Sequence, residues 1–425
     1  MFAKELKEYV LSNQIDEILS KIICSNELDI EKQRYIKLID KAVEIYGDGD
    51  YHFISSPGRS EVGGNHTDHQ HGHVLAASLN IDNLCIVKKN DENICRYIDA
   101  SFHTKDINLD DLSVKEEERN TTESLIRGIA NKIKLEGLQV GGFDCLCDSK
   151  VLVGSGISSS ACFEVMVAEI FNFLYNDGKI SDIDRAIYGQ YAEREYFGKP
   201  CGLLDQMTIS VGGFVAIDFK EQNKPIIENY EFSFDDYGYQ LLLVNTKGDH
   251  ADLSHEYAAV PNEIKEVAHE LGVEVLADSS YEELLKHIKD IREKTHNDRG
   301  ILRSIHFFRE DKRAIEEKNA IVEKDINKLL NYIKGSGHSS FMYLQNVYPS
   351  SRPESQSLAL ALGLTAEFIG DNGAYRVHGG GFDGTIQVIL PKEKVNEYKA
   401  LIEPIYGDDA ILFVKVRPFG TKTII

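Results

Sequence analysis

Four histidines and an aspartate fall within the eleven positions of "GGNHTDHQHGH", residues 63–73. Two chemistries suit such a cluster. Alternation would put His69, His71 and His73 on one side of an extended segment, a spacing that zinc can use. A carboxylate such as Asp68 can instead accept hydrogen bonds from two adjacent hydroxyls, with a histidine as a further polar contact. A second cluster, "VLVGSGISSSACFEVMVAEIFNFLY", runs from an apolar strand through Gly154, Ser155 and Gly156 into Ser158, Ser159 and Ser160, and then into a helix. Glycine lets backbone amides approach a ligand, and a helix N-terminus turns its positive end toward an anion, so this order of residues makes a phosphate cradle. The same residues also make ordinary turns and N-caps, and no lysine follows the last glycine as it does in a Walker loop. A third loop, "VHGGGFDGTIQVIL", sets Gly379, Gly380, Gly381 and Gly384 just before a strand. Such a run serves either close approach to a ligand or a tight turn.

Strands and helices must hold these loops. Strands are expected at "YHFISS", "NLCIVKK", "GFDCLCDSKVLV", "GGFVAIDF", "YQLLLVNT", "TIQVILP" and "AILFVKV", and helices at 115–134, 159–176, 182–197 and about 392–403. On the helix 159–176, Val165, Met166, Ile170 and Phe173 are expected to face inward. The mixed order of elements indicates an α+β fold with mixed sheets and helices rather than a doubly wound parallel sheet. A chain of 425 residues exceeds one compact core, and the turn-rich "KEQNKPIIENYEFSFDDYG" sets the boundary. Two domains are expected, 1–220 and 221–425, with the active site in the cleft between them. The charged stretch from Tyr281 to Ile333 reads as the solvated face of a helical bundle.

The net charge of −22 repels nucleic acid and anionic membrane, because phosphate-backbone binding requires a basic face. No stretch nears the apolar run that spanning requires, and "MFAKELKEYVLSNQ" reads as an amphipathic helix rather than a signal peptide, so the cytoplasm is the expected location. The seven cysteines are odd in number and form no C-x-x-C pair, which indicates neither a disulfide framework nor a zinc ribbon. Cys145 and Cys147 are expected as buried thiols on one strand face.

Taken together and in order, these loops resemble a known family. "SPGRSEVGGNHTDH" is similar to the first signature of the galactokinases, P-G-R-x-N-x-x-G-E-H-T-D-Y. "GSGISSSA" is similar to the second, G-x-G-L-S-S-S-A, and "GGGFDG" to the third, G-G-G-F-G-G. These signatures mark the GHMP kinases, named for galactokinase, homoserine kinase, mevalonate kinase and phosphomevalonate kinase. Two further segments, "YAEREYFGKPCGLLDQM" and "NTKGDHADLSHEYAAV", resemble the galactokinase stretches that carry the catalytic aspartate and a sugar-binding tyrosine. The resemblance runs from about residue 50 to the C-terminus.

It implies a two-domain GHMP-kinase fold and ATP-dependent phosphorylation of the anomeric hydroxyl of galactose, with ATP and Mg2+ required. By resemblance, Asp205 takes the hydroxyl proton and Arg59 lies against Asp205 and the phosphate. Asn65, His66, Asp68 and Tyr257 hold the sugar; Gly154, Ser155, Gly156, Ser158, Ser159 and Ser160 hold the ATP phosphates; Ser160 and Glu193 bind magnesium. Read as residues alone, these positions have lesser alternatives: Ser160 as an N-cap, Glu193 as a solvated helix face, and Arg59 with Asp205 as a structural ion pair. The chain departs from the first signature at Glu61, Asn65 and His69. Asn65 replaces the glutamate that receives the C6 hydroxyl, so a C6 carboxylate is tolerated and galacturonate is the alternative substrate. Asp383 replaces a glycine of the third signature and is expected to point away from phosphate. A non-catalytic sugar and ATP sensor of the same family would have a shortened serine loop, whereas "GISSSA" has full length. The expected partners are a small sugar and ATP, with no nucleic acid or membrane; the sequence leaves the oligomeric state open.

Overall fold

The computed structural model describes residues 1–23, 27–99, 103–151, 156–221, 224–248 and 253–425. Runs of β-branched and aromatic residues give the strands β1 (His52–Gly63), β2 (His73–Lys89), β3 (Ile94–Ile98), β4 (Ile107–Asn108), β5 (Phe143–Ser149), β6 (Phe214–Asp218), β7 (Ile226–Tyr230), β8 (Tyr239–Asn245), β9 (Ala374–His378), β10 (Thr385–Pro391), β11 (Ile411–Val414) and β12 (Lys422–Thr423). One sheet has the order β12-β1-β2-β5-β3-β4, with β6 on the other half of β2 and β7 beside β6. It is mixed: β3 and β5 are parallel and the remaining pairs antiparallel. The second sheet, β11-β8-β10-β9, is antiparallel throughout. The boundary expected at residue 220 falls in the connection between β6 and β7, two strands of the same sheet.

The first sheet is covered on both faces, and period-2 alternation assigns its side chains. Phe53, Leu84, Ile86 and Leu146 pack toward the N-terminal helices, including Leu28–Tyr46; Ile54, Cys85, Val87, Cys145 and Cys147 pack toward Thr122–Leu135 and Ser159–Asn176. Cys145 and Cys147 therefore share one buried face, and burial pushes both thiols up. Arg34, on the helix Leu28–Tyr46, ties that layer to the sheet: it donates to Glu31 (2.8 Å), Asp82 (2.7 Å) and Asp148 (2.7 Å) and is itself buried. On the far edge, β12 pairs with β1 through Ile54 and Ser55, and Ile424 and Phe53 extend the seam.

Several elements differ from the sequence expectation. The strand expected to stop at Ser56 continues to Gly63, because a bulge between Pro57 and Arg59 absorbs the Pro-Gly pair without breaking the ladder. The helix expected from 115 begins at Thr122, where the Thr121 hydroxyl accepts from the Ser124 amide after a left-handed Asn120. Phe173 does not face inward; it is 36% exposed, edge-on to His52, on a helix otherwise buried nearly all round. The helix Asp298–Glu323 is not a solvated face, for it buries Arg303, His306, Glu310 and Glu317. Among the described residues no helix is long and apolar enough to cross a membrane.

Candidate active site

Arg59 leaves β1 at the bulge and lies beneath the loop that contains Gly156. Its Nε and Nη2 donate to the two carboxylate oxygens of Asp205 at 2.7 and 3.0 Å, and its Nη1 donates to the Gly156 carbonyl at 2.5 Å. This fork-on-fork contact fixes both side chains. Asp205 occupies the first turn of the helix Leu204–Val211, where a negative charge is favoured, and also accepts from the Ser158 hydroxyl. Arg59 is buried, but the Asp205 side chain keeps 33% of its surface, so its carboxylate borders open space.

Two cavities meet at this pair. The larger, about 550 Å³, is walled by Gly156, Ser158, Ser159, His378, Gly381 and Asp383. The smaller, about 340 Å³, is walled by Asn65, His66, Asp68, Glu193, Gly202 and Gln206. Arg59, Ser160, Lys199, Asp205, Tyr257, Gly379 and Gly380 line both. Thus Ser158, Ser159 and Ser160 with Gly156 border one chamber, and Asn65, His66 and Asp68 the other. Gly154 and Ser155 lie outside the described residues.

The loop after β1 turns sharply, with His66 in a left-handed conformation (φ 57°). His66 Nε2 donates to the Gly380 carbonyl at 3.1 Å. Asp68 faces Gly202 so closely that a Cβ there would lie 2.8 Å from its Oδ2. Burial raises the Asp68 carboxyl; His66 opposes the rise and Asp205 adds to it. The three later histidines do not alternate along an extended segment. Asp68–Gln70 is a 3-10 turn, His71 is left-handed, and His73 donates to Asp311 at 2.9 Å. Burial depresses His69 to about 3. Among the described residues no three His, Cys, Asp or Glu side chains converge as a metal site.

Glu193 lies on a π-helical turn, Ala192–Phe197, that follows the helix Asp182–Tyr191 and turns it inward. It is buried rather than solvated. Its Oε1 accepts from Ser160 Oγ (3.4 Å) and Lys199 Nζ (3.2 Å), and its Oε2 from Gln206 Nε2 (2.9 Å), which also donates to Glu164 (2.9 Å). Ser160 and Glu193 thus present neighbouring oxygen donors, the type a hard divalent cation takes.

The third loop bridges the two chambers. Gly379 and Gly381 have φ of 70° and 80°, and a Cβ on Gly381 would lie 2.2 Å from the Asn346 carbonyl oxygen, so no side chain fits there. Tyr257 donates to the Gly381 carbonyl at 2.9 Å and sets its ring perpendicular to Phe382. Asp383 is among the residues that line the larger chamber; its Oδ1 accepts from the Gly384 amide at 2.6 Å and its carboxylate packs against Gly248.

Sequence reasoning passed over Lys199, Gln206, His378 and Asn346. Lys199 sits in "FGKPCG" between Glu193 and Asp205, and its place between those two carboxylates was its only signal. Burial works against the Lys199 charge, but Glu193, with Cys201 and Asp205, makes the net shift upward. His378 precedes the triple glycine; burial, then Arg59 and Arg376, hold its ring well below the ordinary range.

Residues 124–213 match the family described as GHMP kinases N terminal domain, and residues 43–89 match the galactokinase galactose-binding signature. The chain is 28% identical to a galactokinase of Glaesserella parasuis over 364 residues, covering 83% of this chain and 88% of that one. It is 27% identical to a galactokinase of Clostridium tetani, covering 86% and 90%. In fold it is similar to a Lactococcus lactis galactokinase solved with galactose (TM-score 0.75, 22% identity, 90% of this chain and 98% of that chain). It is also similar to a Methanococcus jannaschii mevalonate kinase (TM-score 0.62, 16% identity, 87% and 99%).

Proposed function

We propose, for a chain that belongs to the GHMP kinase family, ATP-dependent transfer of a phosphoryl group to the anomeric hydroxyl of galactose. The observation that carries this reading is the Arg59–Asp205 pair at the junction of two chambers, one bordered by the serine-rich loop and the other by the sugar signature. Phosphoryl transfer asks a protein for positioning and charge rather than for covalent steps, and the site is built in those terms.

Asp68 and His66 orient the hexose from one side and Tyr257 from the other. The anomeric hydroxyl then meets Asp205, which accepts its proton as the oxygen forms a bond to the γ-phosphorus and the bond to the β-phosphate oxygen breaks. Arg59 holds the Asp205 carboxylate in place and stabilises the charge that gathers on the transferring group. Ser158, Ser159 and Gly156 cradle the phosphates from the start of the helix Ser159–Asn176. Ser160 and Glu193 would hold a magnesium ion, which when bound supplies charge neutralisation to the β- and γ-phosphates.

The reading is tested by offering the protein ATP and magnesium with free galactose, galacturonate and N-acetylgalactosamine, and reading the product by mass and phosphate position. Galactose 1-phosphate and ADP are expected; binding of sugar and nucleotide with no sugar phosphate sinks the enzyme reading. Acid should weaken sugar binding early. The raised Asp68 carboxyl takes up a proton above the ordinary aspartate value of about 3.9 and then no longer accepts from two hydroxyls. The KM for galactose is therefore expected to rise as pH falls through that raised value, and Asp68→Asn to flatten the dependence. An unaltered acid limb in Asp68→Asn would remove Asp68 from this role.

A further inference from the structure

Residues 61 and 65 depart from the first signature in opposite senses: where the signature has Asn and Glu, this chain has Glu and Asn. The two side chains touch. Asn65 Nδ2 donates to Glu61 Oε1 at 2.7 Å, and both residues are buried. The pair of functional groups is retained while their places are exchanged.

The surroundings fit the exchange and not its reverse. Glu61 Oε1 also accepts from Arg376 Nη2 at 2.9 Å, and Arg376 is fully buried with Nε and Nη1 lacking partners. Glu310 and Glu317 also lie near Arg376: burial works against both charges and Arg376 favours them, with a net shift downward at Glu310 and well upward at Glu317. The ion pair of Arg376 among the described residues is nevertheless with Glu61. An amide at 61 would leave that guanidinium without its anion. At 65 the second amide hydrogen reaches the Gly379 carbonyl at 2.9 Å, and Oδ1 accepts from Asn346 Nδ2 at 2.9 Å. A carboxylate there would face the Gly379 carbonyl oxygen with no hydrogen between them. Asn346 in turn donates to the Gly380 carbonyl at 3.0 Å and accepts from the Phe382 amide. The Asn65 carbonyl accepts from His306 at 2.9 Å. Residue 65 is thus the joint at which the sugar loop is fastened to the glycine loop, immediately before His66.

We propose that Glu61 and Asn65 are an exchanged pair of positioning residues, with Arg376 anchoring the carboxylate, which lock the sugar loop onto the glycine loop and so set His66 and Asp68 for the hexose. The proposal rests on the sugar-kinase reading for what the loop holds, but not for how it is held. Its test is a double-mutant cycle of Glu61→Asn, Asn65→Glu and the two combined, read by hydrogen exchange of residues 63–73 and by KM and kcat for galactose.

Each single change is expected to speed exchange in the loop and raise KM about tenfold, with kcat within about threefold. The combined variant rebuilds an amide facing a carboxylate but keeps the mismatches with Arg376 and the Gly379 carbonyl, so it is expected to recover only part of both losses, falling short of the product of the two single effects. Additive losses overturn the exchanged pair. Coupled exchange with an unmoved KM in both singles overturns the positioning role. If the wild-type protein turns over no galactose, the functional reading fails by itself, and additive or non-additive loop exchange still decides the pair. Should Asn65→Glu not fold, Asn65→Ser removes the same bonds without adding charge; it is expected to raise KM with kcat retained, and an unchanged KM overturns the proposal.

Discussion

Asp205→Asn is expected to lower kcat by roughly 10²–10⁴-fold while the sugar still binds, the size of effect that a positioned base contributes. Asparagine has the shape of aspartate and keeps an oxygen to accept from Arg59 Nε, so the bulge and the Gly156 contact stay in place. What it lacks is a basic oxygen for the hydroxyl proton. Asp205→Ala is less clean, because it leaves the buried Arg59 guanidinium without its carboxylate partner. Steady-state kinetics with galactose, paired with calorimetric sugar binding, separates the two effects. A normal kcat in Asp205→Asn would overturn the role of base, and lost sugar binding would mean that the carboxylate holds the ligand rather than the proton.

Arg34→Ala is expected to be the most destabilising single change outside the site, by about 3–5 kcal/mol, the cost of breaking one member of a buried ion cluster. Arg34 is 8% exposed and faces Glu31, Asp82 and Asp148 at once, so its loss leaves the buried Glu31 and Asp82 carboxylates without the guanidinium they share. Asp82 also accepts from Ser55 on β1, which carries the disturbance to the strand that holds Arg59. Arg34→Lys is expected to recover only part of the loss, since an ammonium cannot offer the guanidinium fork to several carboxylates. Denaturant midpoints of the three proteins check this, and a midpoint unchanged in Arg34→Ala would remove the cluster from the stability of the fold.

The parts of this architecture that show in sequence are those whose chemistry is local. The helix 159–176 announces itself by its serine-rich entry, and β5, β8 and β10 by compact apolar runs between turn residues. Arg59 and Asp205 lie far apart in the chain, and they were found together through the resemblance of their flanking motifs rather than through any pattern linking them. What escaped had non-local causes. Pro57-Gly58 reads as a turn, yet a bulge paired against β2 carries the strand through. The helix Asp298–Glu323 looks solvated by composition, but Arg303 finds Glu263 on another helix and His306 finds Asn65 and Ser339, so its charged and polar side face inward. Helical period puts Phe173 inside, but a helix buried nearly all round has no distinct apolar stripe to count. The link from Asn65 to Asn346 joins residues with no spacing relation at all.

The seam between β1 and Lys422–Thr423 sets a timetable for biosynthesis. A ribosome adding roughly 5–20 residues per second releases Ile54 some 20–70 s before the strand that flanks it exists. Throughout that interval the nascent polypeptide presents an open ladder of amides and carbonyls along β1, beside the segment that must later hold Arg59. Completion of the sheet around Arg59 is thereby delayed until Lys422 and Thr423 have been made, which makes this border the place where a chaperone or a misdirected neighbouring strand has its opportunity.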